Sequence, residues 1–208
     1  MKFRALLLAL TLVLTVSGTA GAAVTEHRES TTNLSIAYPI LSAEDGVVAD
    51  PINADIAALA ASVRTQYESG AFYRGEFGYR VHLDDDNFLS VTFTDLRYDL
   101  RANQPTRHDY GYVYYKKTGQ RLPLAFFVHL TPSDLDGEAV SGHLYNEQGR
   151  NTPIQPEKSV RKVPTDYFLG GRGYVCPIFQ AGELTASMGP TYILLDASVV
   201  DYFNRKNK

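Results

Sequence analysis

The 208-residue chain has one cysteine, no tryptophan, no cluster of lysine and arginine and no complete catalytic motif. Each shortage excludes something. A lone Cys176 leaves no internal disulfide, so stability has to come from a buried core. With 20 Lys+Arg against 23 Asp+Glu, a net charge of -3, the chain has the wrong sign for a nucleic-acid binder. Sixteen glycines and ten prolines without a period exclude collagen-like and linker-like chains. Nothing after residue 22 is apolar for long enough to span a bilayer.

What is present begins with an export signal. Lys2 and Arg4 precede an apolar run from Ala5 to Val16, and the small residues Ser17 to Ala23 follow. Ala20-Gly21-Ala22 fits the signal-peptidase pattern, so residues 1–22 are read as a cleavable signal peptide. Its removal takes two cations and leaves 18 against 23, a net -5. The mature chain is expected to be exported, to the periplasm or the medium. Residues 23–32 are polar and read as a flexible N-terminus.

The remaining pattern is α+β. Leu34, Ile36, Tyr38 and Ile40 alternate as a strand. Asp50-Pro51 opens a helix whose Ile52, Ile56, Leu59, Ala60, Val63 and Tyr67 share one face, and Gly70 stops it. Phe77–Leu83 and Leu89–Phe93 flank an acidic tip as a hairpin, and Tyr110, Tyr112 and Tyr114 share a strand face. Thr131-Pro132-Ser133-Asp134 starts a second helix. Tyr167–Leu169 and Tyr174–Phe179 form a second hairpin, and Thr191–Leu195 reads as a central strand. Asp196 caps a short C-terminal helix. The expectation is a single domain over 33–204, two main helices on one face of a mostly antiparallel sheet, with a possible split into two lobes near 130–165.

The motifs that look chemical mostly fail. Ser159-Val160-Arg161-Lys162 and Lys117-Thr118-Gly119 match two serine-enzyme motifs in reverse order, and Ser-Asp-Asn is lacking. Thr185-Ala186-Ser187-Met188-Gly189 resembles a nucleophile elbow but has Thr where the turn requires Gly. Asp84 to Asn87 lacks the Gly and Glu positions of an EF-hand. The five histidines have no zinc spacing, so neither metal nor cofactor is expected, and His82 reads as a surface residue. Cys176 lies in an apolar run, the setting of an inert buried thiol.

Several stretches together resemble a known exported domain. Ser35-Ile36-Ala37-Tyr38-Pro39-Ile40-Leu41 with Ile52-Asn53-Ala54-Asp55-Ile56, Phe88 to Phe93, Tyr112 to Leu124, Tyr167 to Phe179 and Met188 to Leu195 are similar in order and spacing to the extracytoplasmic, lysozyme-sensing domain of the RsiV anti-sigma factors. Related copies accompany peptidoglycan deacetylases. The chain departs from that family before the Thr-Gly hairpin, where only His108 and Gly111 correspond to its glycine-rich segment. It also has no sigma-binding segment. The resemblance implies a non-enzymatic cell-envelope domain that recognises a lysozyme-like protein or a peptidoglycan component. From the residues themselves, Arg107, His108, Tyr110, Tyr112 and Tyr114 are the candidate contacts, because tyrosine offers an apolar ring with a polar tip. The same alternation also suits a sheet face that simply buries under a helix. Two other readings stand beside it. One is a wall-active hydrolase or amidase drawing on Glu76, Asp95, His108 and Glu183, and the other an accessory protein with no small ligand.

Overall fold

The structure is a computed structural model that describes residues 24–44, 46–100 and 104–208. The signal peptide expected over 1–22 lies outside them. Six strands form one sheet in the order β1-β2-β3-β4-β5-β6: Val24–Ser30, Leu34–Leu41, Arg74–Asp84, Phe88–Tyr98, Thr106–Tyr115 and Gln120–Arg121. All neighbours are antiparallel except β2 and β3, which run parallel and are joined through helix α1, Ala49–Glu68. A second sheet has the order β7-β10-β9-β8, from Leu144–Asn146, Thr191–Ile193, Tyr174–Phe179 and Tyr167–Gly170. Helices α2 (Pro132–Val140) and α3 (Ala197–Lys206) accompany it. The α+β class, the mostly antiparallel sheet and the short C-terminal helix all stand as read.

Period-3.6 spacing puts Ile52, Ile56, Ala60 and Val63 of α1 on one buried stripe, against Ile36, Phe77, Leu89 and Phe93 of the sheet. Full burial of each isoleucine contributes about 2 kcal/mol. Asn53 then fixes the helix to β2. Its Oδ1 accepts the Leu41 N–H and its Nδ2 donates to the Leu41 carbonyl, both at 2.9 Å. The helix begins at Ala49, earlier than Asp50-Pro51 suggests, and the N–H of Val48 at its N-cap is bound by the carbonyl of Lys116. Asp50 sits in the first turn, where the helix dipole favours an acid.

Residues 24–30 fall within the polar stretch 23–32 read as a flexible N-terminus. They form the edge strand, in register with β2 from Val24↔Leu41 to Ser30↔Ser35. Their charges suit an edge, where Glu, His and Arg discourage further pairing. In the second half the capping box forms as read: Thr131 Oγ1 accepts the Asp134 N–H and the Asp134 carboxylate accepts the Thr131 N–H. Asp196 caps α3 by accepting from Ser198 and Val199. Val113, Leu135, Leu144, Phe179 and Ile193 form a second core between the sheets and helices α2 and α3. The two layers touch closely at Gly111: a Cβ there would collide with the Tyr167 backbone. Tyr167 then donates its hydroxyl to the Leu122 carbonyl at 2.7 Å, and Leu169 N–H donates to Ser90 Oγ at 2.8 Å.

Candidate binding site beside strand β5

Strand β5 is nearly the edge of its sheet, because β6 pairs only with Tyr114 and Tyr115. Two side chains from the second half take the place of a longer strand. Gln180 accepts the Asp109 N–H at 2.9 Å and donates to the Asp109 carbonyl at 2.8 Å. Asp166 Oδ1 accepts the Gly111 N–H at 3.1 Å. Side chains are thinner than a strand with its own substituents, and a groove of about 660 Å³ remains along the edge.

Tyr110 and Tyr112 line this groove half-buried, with ring centroids 6.4 Å apart. The Arg121 guanidinium lies 4.2 Å from the Tyr112 ring centroid, a cation–π arrangement, and the two tyrosine rings meet edge to face at 67°. His108, 46 % exposed, sits against the Tyr110 ring at 4.3 Å, with its Nε2 3.9 Å from the Asp166 carboxylate. Glu183 lines the groove as well and accepts the Gln180 N–H. Burial raises Asp166 above the ordinary carboxylate range, against the pull of the Gly111 N–H and of His108. Burial also raises both tyrosines, with Arg121 opposing the shift at Tyr112. The result is an edge-to-face pair of half-buried tyrosines with acids and cations at its rim. Carbohydrate and protein ligands both use that pattern.

The alternation of β5 separates the other candidates. Arg107 faces the opposite way, into the space between the sheets, and is bound to Asp109 (2.8 and 3.0 Å) and Glu147 (2.7 Å). Tyr114 is withdrawn from the candidate surface. It is 1 % exposed under α1 and donates its hydroxyl to Asp55 at 2.9 Å. Of the acid–base candidates, His108 and Glu183 share the groove. Asp95 is buried in a bidentate pair with Arg97, and Glu76 is exposed beside Arg74, so the four do not converge. Arg121 and Asp166 line the candidate groove and were not singled out from the sequence. His82 is also misread as a surface residue, because it stacks on Phe168 at 3.9 Å.

The remaining motifs are structural. Asp85 closes the acidic tip by accepting the Asn87 and Phe88 N–H groups, and Asp84 pairs with the buried Lys116 at 2.7 Å. Thr185 and Ser187 accept backbone N–H groups within their own turn. Among the described residues no three His, Cys, Asp or Glu side chains are placed to hold a metal ion, and no helix is long and apolar enough to cross a membrane.

No protein-family model and no curated protein matches the chain. Solved structures do, among them two DUF3298 family proteins. A DUF3298 family protein of Pseudomonas aeruginosa PAO1 superposes with a TM-score of 0.55 at 9% identity, covering 91% of this chain and 93% of that one. A DUF3298 family member of Bacteroides fragilis NCTC 9343 gives 0.51 at 13% identity, covering 88% and 94%. The structural neighbours are DUF3298 family proteins. At these identities the likeness is one of fold.

Proposed function

We propose that this chain is an exported, non-enzymatic recognition domain of the cell envelope, and that it takes a peptidoglycan component or a lysozyme-like protein in the groove beside β5. The observation that carries this reading is the groove lined by the edge-to-face pair Tyr110 and Tyr112 with Arg121, Asp166 and Glu183 around it. A wall fragment presents sugar faces to stack, carboxylates for Arg121 and amines for the two acids. The RsiV-like order of motifs supports the same compartment and ligand class. The lysozyme form has one further support: an acidic mature chain steers a cationic protein by long-range attraction, which salt weakens.

Calorimetric titration of the purified protein with lysozyme, and separately with a soluble disaccharide-peptide, tests the reading. The expected result is saturable micromolar binding of one of the two at low salt. Tyr112→Ala should weaken it about tenfold, as loss of a central aromatic anchor does. No heat from either ligand at tens of micromolar protein ends the proposal.

A further inference from the structure

The edge of β5 is copied outward into the groove. Asp109, Gly111 and Val113 present backbone groups to that edge, and each meets a different partner: the Gln180 carboxamide, the Asp166 carboxylate and the Leu122 N–H. Alternate residues of a strand lie about 7 Å apart, so these partners recur with the two-residue repeat of an extended chain. Two of the three are side chains held from behind. Gln180 spends one N–H and one lone pair on Asp109, and Asp166 spends Oδ1 on Gly111. Glu183 is fixed in the same manner, its Oε2 accepting the Gln180 backbone N–H at 2.9 Å.

Each of these side chains is only half used. A carboxamide has two N–H groups and two lone pairs, and a carboxylate has two oxygens. Among the described residues no hydrogen bond engages the second N–H of Gln180, Asp166 Oδ2 or Glu183 Oε1, and all three side chains line the groove. The half in use locks the rotamer, so little freedom is lost when the other half takes a ligand. The aromatic part of the groove narrows the ligand further. Tyr110 and Tyr112 meet at 67°, a corner rather than a plane. One pyranose face cannot lie flat on both rings, whereas an aliphatic side chain can pack on the two at once. From His108 to Tyr112 the strand runs about 13 Å, the length of an extended segment of about four residues.

We propose that the groove binds the peptide part of its ligand: a short extended segment lying along β5 outside Gln180 and Asp166, with its N–H groups on Asp166 and Glu183, a carbonyl on the second N–H of Gln180 and a side chain in the tyrosine corner. The two acids offer acceptors and the carboxamide a donor, which is what a peptide backbone pairs with. This rests on the recognition reading above and narrows it to the backbone that a wall stem peptide and a protein segment share. The two sources differ in the handedness of their residues.

The probes are N-acetyl-tetraalanine, the same peptide ending in D-Ala-D-Ala, and di-N-acetylchitobiose. Titration followed by amide chemical shifts should show at least one peptide saturating at millimolar concentration, about tenfold tighter than the sugar, with shifts on residues 108–112, 166 and 180–183. Tighter binding of the D-ended peptide assigns a wall stem, and tighter binding of the all-L peptide a protein segment; both support the proposal. Asp166→Asn keeps an acceptor for the Gly111 N–H and turns the free oxygen into a donor, and Glu183→Gln does the same at the other acid. Each variant should keep the Tm of the wild type and bind peptide about tenfold more weakly. Acids with a structural role alone would leave the affinity as it was. Chitobiose binding as tightly as the peptides, no saturation by either peptide, or peptide binding unchanged in both variants would each overturn the proposal. A disaccharide-peptide that binds while the peptides do not removes this assignment and leaves the recognition reading standing; silence from it and from lysozyme removes the reading itself.

Discussion

Acidification from pH 7 to pH 4 should unfold this protein partly through one side chain, His82. Its imidazole lies on Phe168 between the two sheets, beside Arg80. Burial first, and the guanidinium second, push it down to about 4 from the ordinary 6.5. The folded state therefore resists a proton that the unfolded chain accepts, so stability falls as pH falls between 6.5 and 4 and is flat above 6.5. Worked through linkage, those two values cost about 1.4 kcal/mol by pH 5.5 and about 2.5 kcal/mol by pH 4.5. The carboxylates that are held low act elsewhere. Burial raises Asp134, but its hydrogen bonds from Lys206, Thr131 and Asn207 outweigh that and leave it well below its usual range. Its contribution is present above the unfolded value and lost only below about pH 4. Urea denaturation of wild type and His82→Gln at pH 7.5, 6.5, 5.5 and 4.5 separates the effects. Glutamine can still meet the Thr92 hydroxyl and cannot take up a proton. The wild type should lose about 2.5 kcal/mol relative to the variant by pH 4.5. Parallel curves for the two proteins would refute the reasoning.

Two further outcomes follow from packing. Gly111→Ala should cost about 3 kcal/mol in urea denaturation, because the new methyl meets Tyr167 backbone rather than a movable side chain. Cys176, with its thiol pushed up to about 12 by burial, should not react with Ellman's reagent at pH 8 until urea unfolds the chain, and labelling should then track the unfolding midpoint.

Elements with a local cause were legible in the sequence. The α1 face, the Thr131–Asp134 box, the Asp196 cap, both hairpins and the central place of β10 each rest on residues within a few positions of one another. Elements with a distant cause were not. The polar β1 has no apolar alternation, and only its partner β2 makes it a strand. The start of α1 is tied to a carbonyl almost seventy residues away, Lys116. The short β7 is defined by β10 and the turn after it. The close approach of the two layers at Gly111 is likewise recorded by no periodicity. The site divides the same way. Tyr110 and Tyr112 follow from period two. Asp166 is 55 positions from the amide it caps, and His82 depends on a bulge that one extra residue creates without any sequence mark.

The edge groove and the space between the sheets are linked by that same period. Along β5, His108, Tyr110 and Tyr112 line the edge groove, while Arg107 and Asp109 line the space between the sheets. A slip of one residue against β4 would exchange the two sets and ruin the groove. The register is therefore held from both sides: Val113 and Tyr114 are buried in separate cores, and Gly111 sits where no other residue fits against Tyr167. A full-length sixth strand would have secured the register more simply, but it would have filled the groove. A two-residue β6, with Asp166 and Gln180 capping the remaining amides, protects the edge and leaves Tyr110 and Tyr112 accessible.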